Sequence, residues 1–163
     1  MKQTRLSDNE NCLSANDGSG HDNGNLKRIK EILPHRDPFL FLTRIISIEQ
    51  GKSAVAEFDI PQDHLFFKGH FPQEPIFPGV IILEMMAQTG ALAILCDTGL
   101  KGKVAYLAGV ESARFRRPVR PGQTLRAEVT IEGIRMNIGR ANGKAFADGK
   151  EAAVAKVVFG LPV

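Results

Sequence analysis

The sequence predicts an α+β domain in which an antiparallel sheet wraps one long apolar helix. Three observations carry that prediction. The stretch VIILEMMAQTGALAILCD, from Val80 to Asp97, is apolar on nearly every side, as a buried helix is. Elsewhere the pattern changes period: Leu125, Ala127, Val129 and Ile131 alternate with Arg126, Glu128, Thr130 and Glu132, the mark of a half-buried antiparallel strand. Asp148-Gly149, between two apolar segments, is a two-residue hairpin signal.

Residues 1–25 hold almost no large apolar side chains and are rich in Asn, Asp, Ser and Gly, so a disordered tail is expected there, with the folded domain spanning 26–163. No apolar run follows the basic start, so the tail does not read as a secretory signal. FLFLTRIISI (39–48) and KSAVAEFDI (52–60) read as two strands joined around Glu49, Gln50 and Gly51. Between them and the helix stands HFPQEPIFPG, His70 to Gly79. Pro72, Pro75 and Pro78 each fix φ and remove a donor, so this segment is a stiff irregular loop. Gly79 lets the backbone approach another group closely, and its N–H lies where the helix starts, at the positive end of the dipole. Gly99 is a plausible helix stop, giving a helix of about 17 residues and about 25 Å. KVAYLAGVESARF (103–115), TLRAEVTIEGIRM (124–136), a stretch around KAFAD (144–148) and EAAVAKVVF (151–159) supply the remaining strands.

A chain of 163 residues with 43% hydrophobic content fits one domain with its own core. The longest apolar stretch is interrupted by Glu84 and Gln88, which reads as a core helix and not a membrane span. Two cysteines, Cys12 and Cys96, support no disulfide framework, and a reducing, cytoplasmic compartment is expected. His21 lies in the tail, His35 in a proline-flanked turn, and His64 and His70 are sequence neighbours. No zinc-like spacing appears, so no metal is expected.

Net charge is +3, but Arg114, Arg116, Arg117 and Arg120 cluster in one short segment. They form either a solvated face or a patch for an acidic protein partner. The interleaved aromatics of a nucleic-acid site are lacking, so no nucleic acid is expected. A carboxylate on the apolar helix is costly unless paired, hydrogen-bonded or neutral. Glu84 therefore either reaches solvent or a neighbouring polar group, or has chemistry to do. Gln88 lies one turn on, along the same stripe.

The string GHFPQEPIFPGVIILEMMAQ (69–88) resembles the signature of the beta-hydroxyacyl-acyl carrier protein dehydratases of bacterial type II fatty acid synthesis, which have the hot dog fold. EILPHRDPFLFLTRI resembles that family's opening segment and AGVESARFRRPVRPGQTL the segment after its central helix, so the likeness runs from about Ile29 to Phe159. Asp37 and Thr43 depart from it, standing where the family usually has an aromatic and an acidic residue.

The resemblance implies removal of water from a (3R)-3-hydroxyacyl chain, held as a thioester on acyl carrier protein, without a cofactor. Such an elimination needs a base at C2, an acid for the departing hydroxyl and a donor for the thioester oxygen. His70 is assigned as base, because an imidazole titrates near neutrality. Glu84 is the acid or its water-positioning equivalent, burial being expected to raise its pKa. Gly79 N–H is the oxyanion donor. Gly79, Val80 and Gln88 are the expected substrate-binding residues. Gln88 orients Glu84 or a water, or is simply a buried amide satisfied by backbone. The resemblance further implies that His70 and Glu84 come from different subunits of a homodimer, that dimers assemble into hexamers, and that the arginine cluster docks the carrier protein. Three other readings share the fold. The sister dehydratase that also isomerises has Asp where Glu84 stands. A hot dog thioesterase would lack the proline-linked His. A non-enzymatic acyl-ligand sensor would need neither His70 nor Glu84.

Overall fold

The computed structural model of the protein describes residues 23–97 and 99–161. Most of the expected tail, including Cys12 and His21, lies outside them. Residues 23–25 are not tail: they are the first turn of helix α1, Asn23–Ile32, and Asn25 Oδ1 accepts the Ile45 N–H at 3.2 Å. Leu26, Ile29, Ile32 and Leu33 recur at helical spacing and pack into the core, the last three buried. The folded unit therefore begins before residue 26.

Six strands follow: β1 Arg44–Glu49, β2 Ser53–Asp59, β3 Tyr106–Phe115, β4 Thr124–Arg135, β5 Ile138–Ala147 and β6 Lys150–Gly160. They form one sheet in the order β1-β2-β4-β5-β6-β3, every neighbouring pair antiparallel. Helix α2, Gly79–Leu95, lies in its concave side, with the 17 residues expected of it. The wrap is possible because the sheet's inner face is built of small side chains. Ala54, Ala56, Ala127, Ala141, Ala145, Ala147, Ala153 and Ala155 are all buried. At Gly143 a Cβ would come within 2.8 Å of Met86 Sδ. β5 is twice the length its KAFAD core suggests, because Gly139, Ala141, Gly143, Ala145 and Ala147 form its buried set and small residues register weakly as hydrophobic.

Strand β1 starts at Arg44, five residues later than the apolar run suggests. Leu40, Phe41 and Leu42 are consecutively buried, which no strand with one solvated face permits. The Phe41 N–H donates to the Gln88 side chain instead of to a neighbouring strand. The two departures from the family pattern are absorbed locally. Thr43 Oγ1 donates to the Glu57 carbonyl and accepts the Asp59 N–H, while Asp59 and Glu57 supply the carboxylates that hold Arg44. Asp37 is exposed, 3.6 Å from Lys30 Nζ.

The far edge of the sheet is different. β3 pairs with β6 on one side only, and Tyr106, Leu107, Val110 and Phe115 stand exposed along it. On α2, Gly79, Val80, Leu83, Glu84, Ala87 and Ala91, along one side of the helix, are the positions left incompletely covered.

Candidate active site

His70 is fixed before any partner arrives. Its N–H bonds to the Phe66 carbonyl and its carbonyl accepts the Ile76 N–H, closing the proline loop into a ring of backbone contacts. The loop is tied to the segment before β4: Phe77 N–H donates to the Val119 carbonyl at 2.7 Å, and Glu74 pairs with Arg120. His70 Nδ1 lies 2.8 Å from the Ile76 carbonyl oxygen. A carbonyl can only accept, so Nδ1 carries the proton and Nε2 presents its lone pair. His64, by contrast, is structural. It caps a short 3-10 turn, Leu65–Lys68, and sits among Phe41, Phe58, Phe66, Phe67 and Phe77, where burial pushes its pKa down.

Gly79 opens α2 behind Pro78, whose ring stiffens the N-cap. The close approach expected at Gly79 is to Phe115, whose ring edge would be 2.9 Å from an added Cβ. The cavity that holds His70 is also lined by Gly79, Val80, Phe115, Arg116 and Arg117. Three expected site residues, His70, Gly79 and Val80, are thus brought together.

Glu84 and Gln88 line a different cavity, of about 220 Å³, with His35, Ala91, Ile94 and Phe159. Gln88 makes contacts of both kinds left open for it. Its Oε1 accepts the Phe41 N–H, while Nε2 donates to the Phe39 carbonyl at 3.0 Å and to Glu84 Oε1 at 2.9 Å. It is a buried amide satisfied by backbone, and it also hydrogen-bonds Glu84. His35 Nε2 stands 3.5 Å from the same Glu84 oxygen. Nothing in the linear sequence ties His35 to Glu84; its flanking Pro34 and Pro38 were the one signal that the turn is rigid.

The expected rise in the Glu84 pKa is not met. Burial does push it up, but the polar contacts from His35 and Gln88, with the charge of His35, outweigh burial and hold the carboxyl below the ordinary carboxylate range. Glu84 is therefore ionised near neutral pH.

The arginine cluster is partly self-satisfied. Arg116 pairs with Glu151 and Arg120 with Glu74, while Arg117 Nε donates to the Glu151 carbonyl. Arg114 stands exposed on β3. Among the described residues no group of three or more His, Cys, Asp or Glu side chains could hold a metal ion, and no helix is long and apolar enough to cross a membrane.

Comparison with known proteins bears on the family and the fold. The family model of the FabA-like domain matches residues 33–156. The 3-hydroxyacyl-[acyl-carrier-protein] dehydratase FabZ of Thermomicrobium roseum is 48% identical over 134 residues, covering 82% of this chain and 90% of the relative. The protein of the same name from Roseiflexus castenholzii is 45% identical over 139 residues, covering 85% and 97%. Among solved structures, the dehydratase heterocomplex ApeI:P from Xenorhabdus doucetiae superposes with a TM-score of 0.70 at 17% identity, covering 83% of this chain and 91% of that one. The Campylobacter jejuni protein Cj0977 gives 0.66 at 12% identity, covering 91% and 96%. These structural likenesses establish the fold, an antiparallel sheet around a central helix, as the hot dog fold.

Proposed function

Because the chain belongs to the FabA-like domain family, we infer that it carries out the reaction for which its FabZ relatives are named. It is a 3-hydroxyacyl-[acyl-carrier-protein] dehydratase, a hydro-lyase that removes water from a 3-hydroxyacyl thioester on acyl carrier protein to give the trans-2-enoyl product. The observation that carries the chemistry is the His70 Nδ1 contact with the Ile76 carbonyl, which leaves Nε2 as a base beside the start of α2.

His70 Nε2 takes the C2 proton. The electron pair moves onto the thioester oxygen, which the Gly79 N–H and the positive end of α2 stabilise. The C3–O bond then breaks, and the His70 imidazolium returns the same proton to the departing hydroxyl as water leaves. Glu84, ionised, accepts a hydrogen bond from that hydroxyl and aims it, which makes it the positioning partner and not the proton store. No proton is left over, so the site is ready for the next substrate.

The site is shared between two copies of the chain. Within one protomer His70 and Glu84 line separate cavities, and the incompletely covered stripe of α2 and the open apolar edge of β3 favour a facing copy. The working unit is a homodimer, with His70 of one copy opposite Glu84 of the other. Assembly of dimers into hexamers, and a cytoplasmic location beside the carrier protein, are part of the same reading. Carrier docking falls to Arg114, Arg116, Arg117 and Arg120, two of which, Arg116 and Arg117, line the mouth of the His70 cavity.

Mixing separates this reading from one in which each protomer works alone. His70→Ala and Glu84→Gln proteins, each nearly inactive, are unfolded and refolded together, and enoyl thioester absorbance is followed. Random pairing makes about half the dimers mixed, with one intact site in each, so about a quarter of all sites recover. Mixed dimers confirmed by size-exclusion but without activity sink the shared site.

A further inference from the structure

Among the described residues, His35 Nδ1 is the buried side-chain nitrogen or oxygen atom that has no hydrogen-bond partner. An orphaned ring nitrogen in a native fold calls for an explanation. Nδ1 has nothing to donate to, so Nε2 is the ring nitrogen that carries the proton on the Glu84 side. Nε2 stands 3.5 Å from Glu84 Oε1.

We propose that His35 is a positioning residue for the dehydration. Its imidazole, working with Gln88, holds Glu84 by one oxygen so that the other faces the substrate hydroxyl. The inference rests on the reading of Glu84 given above.

The surroundings fit a device aimed at one carboxylate. The turn carrying His35 is pinned by Arg36, whose guanidinium donates to the carbonyls of Lys30, Leu33 and His35. Lys30, on α1, pairs with Asp37 of the same turn. From α2 the ionisable group facing His35 is Glu84, and from β3 it is Tyr106; the remaining lining of the cavity is apolar or amide. Gln88 and His35 approach the same oxygen from two different elements, α2 and the turn after α1. Two donors on one oxygen fix the carboxylate plane, which a single donor cannot do. The same contacts keep Glu84 ionised, as an acceptor for the hydroxyl has to be.

The test compares wild type, Glu84→Gln, His35→Ala and His35→Gln. Turnover of a 3-hydroxyacyl thioester, thermal stability, and the infrared titration of the Glu84 carboxyl, assigned by difference from Glu84→Gln, are read for each. His35→Ala is expected to lower kcat about 10- to 100-fold, the scale of a misplaced reacting group, with KM within about twofold. Its Glu84 carboxyl should titrate at higher pH than in wild type, because burial then meets less opposition. His35→Gln, whose side-chain Nε2 can reach the same oxygen, should recover most of kcat. Unchanged kcat and titration in His35→Ala overturn the proposal. So does an equal loss in both variants with the Glu84 titration unmoved, which marks a purely structural role. If His35→Ala does not fold, His35→Gln decides: near-wild-type kcat with retained titration supports the proposal, and loss of kcat with retained titration overturns it. Wild-type turnover in Glu84→Gln would instead remove the reading of Glu84 itself, and the inference with it.

Discussion

At the scale of single residues, the proposed site depends on side chains whose hydrogen bonds engage one atom and leave another for the proposed chemistry. His70 gives Nδ1 to a backbone carbonyl and keeps Nε2, and Glu84 gives Oε1 to Gln88 and His35. Gly79 serves by having no side chain. An added Cβ meets the Phe115 ring at 2.9 Å, so either the ring or the start of α2 has to move. Gly79→Ala is therefore expected to lower kcat by about tenfold or more by displacing the oxyanion donor. Phe115→Ala in the same chain should restore part of the loss. If the single variant turns over like wild type, the Gly79 N–H does not hold the developing charge. The legible part at this scale was residue type. His70, Glu84 and Gly79 are proposed from the elimination that the family resemblance implies, whereas the sign of the Glu84 shift follows from His35 and Gln88 lying beside it, which spacing alone does not reveal.

At the scale of elements, small residues and ion pairs let the sheet curve around α2 without losing its edges. Arg44 on β1 grips both Asp59 and Glu57 on β2, and Thr124 on β4 adds a hydrogen bond to Asp59. The Arg44 contact is the main reason the Asp59 carboxyl titrates below its usual range. A carboxyl lowered in the folded state adds stability above its unfolded pKa, near 3.9 for Asp, and loses it as pH falls through the folded value. Arg44→Met should therefore lower Tm at neutral pH, by about 2–4 °C for a loss of about 1 kcal/mol in this partly exposed network. The gap to wild type should close as pH falls below the carboxylate range. A gap that persists at low pH would mean that Arg44 acts through packing of its stem. Helix α1 shows how an element escapes notice: Leu26, Ile29, Ile32 and Leu33 carry the helical period, but they follow directly on a polar, Gly- and Asn-rich stretch that masks where it begins.

For the whole molecule, the protomer is a finished core with an unfinished surface. β3 is ten residues long, open on one side and apolar where it should be polar, a combination that invites pairing. Val110→Lys is expected to give a smaller species by light scattering and to abolish turnover, although His70 and Glu84 are both present. A monomer with full turnover would end the shared-site account. Carrier docking is tested through Arg114→Glu with Arg117→Glu, which spares the ion pairs of Arg116 and Arg120. KM for carrier-bound substrate should rise and lose salt dependence, while a small thioester mimic is little affected. If both substrates respond alike, the cluster is structural. The sequence by itself determined the fold class and the extent of α2, because periodicity and proline stiffness are local properties of the chain, and the likeness of residues 69–88 to a family signature is what singles out His70 and Glu84 as the proposed reacting groups. Tertiary structure alone decided that Gln88 and His35 converge on one oxygen of Glu84, that β1 begins only at Arg44, and that His70 and Glu84 line separate cavities. Each of these depends on residues far apart in the chain meeting across packed elements, and no local pattern encodes which partner a buried polar group will find.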